Sequence, residues 1–366
     1  VNNMAKVYDN ATDLITFARL QSQNTTSGSS YLGSDGLLKF AAEDEPRIEY
    51  GPDGSLKGLL IEEQRTNLVT YSEDFSQWNT NGSISTSAEM TPSGTAATLV
   101  PGGVNLWYNP GSTSNAHTVS VFAKAAASNA TLQLTAGSGY TVRGTTTVNL
   151  TTLAVTSGSG VVEELPNGWI RFSTQVEYSG SNDGFLYFVV TGGVYIYGAQ
   201  MEQGSFPTSY IPTSGSQQTR SADIASIPVS AFGYNQDAGT VVVSFDTFQD
   251  PGDPGSRFVA SVGTDGRFCY VNGDYAKAID GTNVATGGQL YNPGAFTTAT
   301  AFGVSGISMA LDGGSPGTGS FDGSWGSGND LMLGHLSNAS QLNGHIKSLK
   351  YFPRRLTNTQ LQELTS

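Results

Sequence analysis

Two stretches decide the fold class: Thr118-Val119-Ser120-Val121-Phe122-Ala123-Lys124 and Trp169-Ile170-Arg171-Phe172-Ser173-Thr174-Gln175-Val176. Both alternate with a period of two. In an extended chain this places Val119, Val121 and Ala123 on one face, and Ile170, Phe172, Thr174 and Val176 on another. Working outward, Leu132 and Leu134 share a face. Residues 185–190 are apolar on both faces, as in a central strand, and Val194-Tyr195-Ile196-Tyr197 follows. Turn clusters at Leu165-Pro166-Asn167-Gly168 and over residues 179–184 separate the runs. Residues 66–212 therefore read as one β-sandwich.

The composition agrees. The 366 residues include 46 Gly, only 13% are charged, and aromatics reach 10%, which excludes a coiled coil or a wholly disordered chain. The net charge of -13 and the lack of a basic cluster exclude nucleic acid as an expected partner. No apolar run nears the ~20 residues needed to cross a bilayer as a helix, so membrane insertion is not expected either. The single Cys269 cannot form an internal disulfide and sits in strand-like sequence, where a packed, inert thiol is expected.

The flanks are organised differently. Residues 1–65 hold few apolar residues per unit length and read as an arm that packs on something else. Within it Arg47-Ile48-Glu49-Tyr50 and Leu59-Leu60-Ile61-Glu62 look like strands around the Pro52-Asp53-Gly54 turn. Residues 213–237, with Ser214-Gly215-Ser216-Gln217-Gln218, read as a linker. Residues 238–366 read as a second β-sandwich. There Val241, Val243 and Phe245 share a face, and Asn272-Gly273 marks a hairpin. Thr357 and Gln360 have capping-box spacing at the start of a terminal helix carrying Leu361 and Leu364. The fold class is thus all-β: two tandem β-sandwiches preceded by an extended N-terminal arm.

Motifs for chemistry are scarce. HExxH, CxxC, an EF-hand loop, a Walker A loop and a dinucleotide fingerprint are all absent from the sequence. Glu62-Glu63 and Glu163-Glu164 are adjacent on strands and point to opposite faces, so neither pair forms a catalytic dyad by itself. No catalytic residue, metal site or cofactor is expected. His335 and His345 lie on or beside neighbouring strands, where packing roles outweigh a two-ligand metal site. The aromatic content suits sugar recognition, in which flat rings stack on sugar faces while amides and backbone groups fix hydroxyls. Trp107 and Tyr108, between Gly-rich turns, are candidate glycan contacts, the alternative being a strand whose Trp fills the core. Glycine-flanked Trp325 is a third candidate.

The order Phe17-Ala18-Arg19, Ser34-Asp35-Gly36-Leu37-Leu38, Glu45-Pro46-Arg47-Ile48-Glu49-Tyr50 and Gly58-Leu59-Leu60-Ile61-Glu62-Glu63-Gln64-Arg65-Thr66-Asn67-Leu68 resembles the head of bacteriophage and prophage structural proteins of the head-spike or tail-fibre type. Gly168-Trp169-Ile170-Arg171 and Tyr197-Gly198-Ala199-Gln200-Met201-Glu202 resemble the strands of carbohydrate-binding-module-like jelly rolls in such proteins. Met309-Ala310-Leu311-Asp312-Gly313 and residues 343–352 resemble a concanavalin A-like (laminin-G-like) domain. Residues 274–306 match no motif of these families. The resemblance implies a virion protein, a head or tail fibre or spike component. It implies a homo-oligomer, generally a trimer, with other capsid or tail proteins and host surface glycans as partners, exposed on the particle after assembly in the bacterial cytoplasm. Read as structure instead, the stretch from Gly58 to Leu68 pins the arm to the sandwich, and Arg65 and Arg220 close ion pairs with nearby acids. A glycan-degrading enzyme on a concanavalin-like scaffold and a purely architectural capsid decoration protein are the alternatives.

Overall fold

The computed structural model describes residues 15–19, 29–138, 141–248, 255–263, 266–290, 294–323, 325–337 and 339–366, with side chains except at 112–115, 138, 141, 143 and 177–184. These residues form an all-β protein of antiparallel sheets, with short helices at Val229–Phe232 and Asn358–Thr365.

Two seven-stranded sheets enclose the larger core. One runs, in spatial order, Thr16–Ala18, Ile224–Pro228, Asp330–Leu333, Ser256–Val262, Gly266–Asn272, Tyr275–Asp280 and Val284–Gln289. The other runs Gly317–Gly319, Ile307–Leu311, Ala295–Phe302, Gly239–Asp246, Gly344–Phe352, Leu56–Ile61 and Ile48–Tyr50. Between them pack Val241, Val243, Phe245, Phe268, Phe302 and Trp325, joined by Phe17, Leu59 and Ile61 from the start of the chain. On the outer face of the second sheet, the terminal helix seats Leu361 against Val242 and Ala310. Its N-terminus carries the expected capping box, Thr357 with Gln360.

The domain boundaries differ from those read in the sequence. The supposed arm supplies strands to both sheets: Ile61 pairs with Gly344 and Leu60 with His345, while Phe17, on an edge strand, pairs with Ala225. The supposed linker supplies Ile224–Pro228, an interior strand of the first sheet. Short strands with few apolar residues cannot enclose a core of their own. They are satisfied here by partners far along the chain, which no local pattern reveals. The outer sandwich is therefore discontinuous, and the other sandwich is inserted into it. Chain leaves and returns side by side, since Arg65–Asn67 pairs with Gln218–Arg220.

The inserted sandwich is built on a long ribbon, Asn105–Ala125 paired with Ile170–Thr191. One end of this ribbon is flanked by Thr131–Ser138 and Thr141–Asn149, the other by Val194–Gln203 and Ala96–Val100. The ribbon thus belongs to both layers. Residues 179–184, which read as a turn cluster, lie within its second strand. Register shifts at Tyr108/Gly111 and Thr113/Asn115 break the ladder there. They also switch the inward parity of the first strand, from Leu106 to Val119 and Val121, all buried. The second strand keeps one parity throughout, with Ile170, Phe172, Leu186 and Phe188 all buried.

A buried ion cluster joins the two sandwiches. Arg47 and Glu62 are each 0% exposed, with Arg47 Nη1 2.7 Å from Glu62 Oε2. Arg47 also pairs with Asp223, Arg19 Nη1 lies 3.0 Å from Asp223 Oδ1, and Arg220 Nη1 lies 3.4 Å from Glu62 Oε2. From the inserted sandwich, Ser209 donates to Glu62 through both its backbone N–H and its hydroxyl, each at 2.7 Å. Burial alone would raise the Glu62 carboxyl, but Arg220, Arg47 and Ser209 more than reverse this and hold it well below the usual carboxylate range. Beside it, Arg65 Nη2 lies 2.7 Å from Glu63 Oε1. Arg65 packs so closely that a Cβ on Gly204 would sit 1.7 Å from its Nη1.

Candidate functional site

Trp107 and Tyr108 lie near the start of a strand rather than on a loop, and successive strand residues face opposite ways. Tyr108 points inward. Its ring lies 5.1 Å from that of Trp78, and its hydroxyl accepts from the Thr70 backbone N–H at 3.1 Å and bonds Thr70 Oγ1 at 2.6 Å. It buttresses the core, so its place as a glycan contact is corrected. Trp107 is half-buried on the other face and stacks on Tyr187, ring centroids 5.9 Å and planes 24° apart.

The ladder extends this pair into a row. Trp107 stands opposite Asn79 on one side and Tyr187 on the other. Tyr187 stands opposite Thr135, and Thr135 opposite Thr145. Five strands thus carry Asn79, Trp107, Tyr187, Thr135 and Thr145 in line, a span of about 19 Å at ~4.8 Å per strand. The next row on the same face is Asn105, Val189, Gln133 and Thr147. Its polar groups are set against the first row: Asn105 Nδ2 donates to the Tyr187 hydroxyl at 3.1 Å, and Gln133 Nε2 to Thr135 Oγ1 at 3.0 Å. The combination is two adjacent rings flanked by amides and hydroxyls, the chemistry that stacks on a sugar ring and bonds its hydroxyls.

Tyr187 was not singled out in the sequence, although a signal was present. In the run 185–190, Leu186, Phe188 and Val190 are buried, while Phe185, Tyr187 and Val189 are half-buried. The one residue with a polar tip sits on the half-buried face.

Trp325 is not a surface residue. It is 0% exposed and lies between Phe268 (centroids 5.2 Å, planes 7° apart) and Phe302 (4.7 Å, 29°). Its neighbouring glycines bring backbone close to the indole instead of displaying it. A Cβ on Gly326 would lie 2.2 Å from the Val262 carbonyl oxygen, and one on Gly266 would lie 2.7 Å from Trp325 Cδ1. The assignment of Trp325 as a glycan contact is therefore corrected.

The remaining polar candidates go separate ways. His335 Nε2 meets the Ala225 backbone. His345 lies between Asp246 (Nδ1–Oδ1 2.9 Å) and Glu49 (Nε2–Oε2 2.7 Å). Burial alone would lower the His345 pKa, but the two carboxylates push it up to about 9. At neutral pH it is an imidazolium donating from both nitrogens, with no lone pair to act as a base. Glu62 and Glu63 part company, one into the ion cluster and one to Asn343 and Arg65. Among the described residues no group of His, Cys, Asp and Glu side chains is arranged to hold a metal ion, and no helix is long and apolar enough to cross a membrane.

No protein family and no curated protein matches the chain. Among solved structures, it is similar to the CBM40 of the Ruminococcus gnavus IT-sialidase bound to α2,6-sialyllactose, at 15% identity and a TM-score of 0.28, over 38% of this chain and 91% of that one. The same module without a named ligand gives 16% and 0.26, over 36% and 84%. The leech intramolecular trans-sialidase complexed with 2,7-anhydro-Neu5Ac gives 14% and 0.27, over 37% and 24%. At such TM-scores the likeness carries no argument about what this chain binds.

Proposed function

We propose that the chain is a glycan-binding structural protein of a phage particle, a head or tail fibre or spike component. The observation that carries the binding reading is the row Asn79, Trp107, Tyr187, Thr135 and Thr145. Solvent-facing aromatics on a rigid sheet lose little entropy on stacking a sugar, and the polar groups beside them supply direction. With a net charge of -13, attraction to anionic cell envelopes is unfavourable at long range, so attachment rests on specific contacts. The particle assignment rests on the sequence resemblance alone, as do the homotrimer and the capsid or tail partners that go with it.

A glycan array probed with the wild-type chain and with Trp107→Ala tests the binding reading. Specific hits that weaken in the variant support it. A blank array favours a purely architectural decoration protein. Release of reducing ends from any bound glycan would replace the binding reading with the enzymatic one. Electron microscopy of particles tests the location, and absence of the protein from virions would remove the structural role.

A further inference from the structure

The two sandwiches meet along a cleft of about 760 Å³, walled by Tyr31, Leu60, Phe206 and Phe248 among others. The carboxylates lining it are already matched. Glu49 lies 2.7 Å from His345, Glu62 lies 2.7 Å from Arg47, and Glu163 lies 3.6 Å from Lys57 across the gap between the sandwiches. Arg171 also lines the cleft and is only 9% exposed. Its guanidinium sits over the Phe122 ring, 5.6 Å from the centroid, and Nη2 donates to Ser120 Oγ at 3.0 Å. Its Nε is buried without a partner. Arg171 stands directly opposite Glu163 in the ladder, yet that carboxylate runs to Lys57. Among the described residues no carboxylate lies within 4.0 Å of the Arg171 guanidinium.

A buried guanidinium without a counter-charge is costly, and its planar fork of donors is shaped for a carboxylate. We propose that this cleft is a second ligand site, taking a carboxylate-bearing sugar whose carboxylate pairs with Arg171 while its ring lies on the aromatic wall. That the ligand carries a carboxylate rests on Arg171. That it is a sugar rests on the glycan-binding reading above.

The test is calorimetric titration of the full chain with tetragalacturonate and a hyaluronan tetrasaccharide, the carboxyl-reduced form of each, and benzoate. At least one acidic oligosaccharide binds, and its reduced form binds at least tenfold more weakly. Arg171→Gln loses at least tenfold, and Arg171→Lys recovers part of the loss. Val161→Trp, at a position 61% exposed on the cleft wall, weakens binding without touching the core. Trp107→Ala leaves this affinity unchanged, which separates the cleft from the Trp107 face. Equal affinity for acidic and reduced forms, no effect of Arg171→Gln, equal loss in Trp107→Ala, or no binding by any probe would each overturn the site. Binding of benzoate alone would overturn the sugar as its ligand.

Discussion

Replacing Asp223 with Ala is expected to loosen both sandwiches together. Asp223 is 0% exposed and accepts from Arg19, from Arg47 and from the Glu62 backbone N–H at 2.9 Å. Its loss leaves the Arg47 side chain with Glu62 as its remaining carboxylate partner, and the Arg19 side chain with only the Ala42 and Glu45 carbonyl oxygens. Removing one partner of a buried pair costs about 3–5 kcal/mol, and two arginines lean on this carboxylate, so the upper end applies. A loss of ~5 kcal/mol against a guanidinium slope of ~5 kcal/mol/M moves the unfolding midpoint down by ~1 M. Tryptophan fluorescence is the readout. Trp78 and Trp169 are buried in the inserted sandwich, and Trp325 in the outer one. With Trp325→Phe in the same background the signal comes from the inserted sandwich only. Both forms are expected to shift, because Ser209 of the inserted sandwich is bonded to Glu62 of the cluster. A midpoint shift under ~0.2 M would refute the cluster as the tie between the two units.

Trp325→Ala is expected to cost about 3–5 kcal/mol, as for other buried aromatics, whereas half-buried Trp107→Ala changes stability little; chemical denaturation of the pair checks this. His345 gives a pH signature. Its pKa is raised from 6.5 to about 9 in the folded state. Its contribution is therefore complete below the unfolded value and disappears as pH rises through about 9. The melting temperature should fall across that window, and His345→Gln should flatten the fall; a wild-type curve no steeper than the variant's would contradict it. Burial pushes the Cys269 thiol up to about 12. It should resist a thiol reagent at pH 8 until denaturant is added, and rapid labelling of the native chain would show the site is open.

Where packing is local, the sequence was readable. Period-two alternation placed Val119, Val121, Ile170 and Phe172 inward, and all four are buried. The Thr357–Gln360 spacing announced the helix cap, and Asn272-Gly273 the hairpin, with Gly273 at φ 56°. What stayed hidden is non-local. Nothing near Ile61 says that its partner is Gly344, so some strands of the outer sandwich read as an arm and another as a linker. The glycines around Trp325 are ambiguous by nature, since the residue that permits a display loop also permits tight packing over an indole. Trp107 was legible as a residue, but its site was not. Tyr187, Thr135 and Asn79 come beside it only through the register of the ladder.

The central claim is that the Trp107 face binds glycan, and affinity for the strongest uncharged array ligand in wild type and in Trp107→Ala tests it most directly. Aromatic anchors at binding sites are worth about 2 kcal/mol or more on truncation, so the dissociation constant should rise by about 30-fold or more while the melting temperature holds. An unchanged dissociation constant in the folded variant would contradict the account.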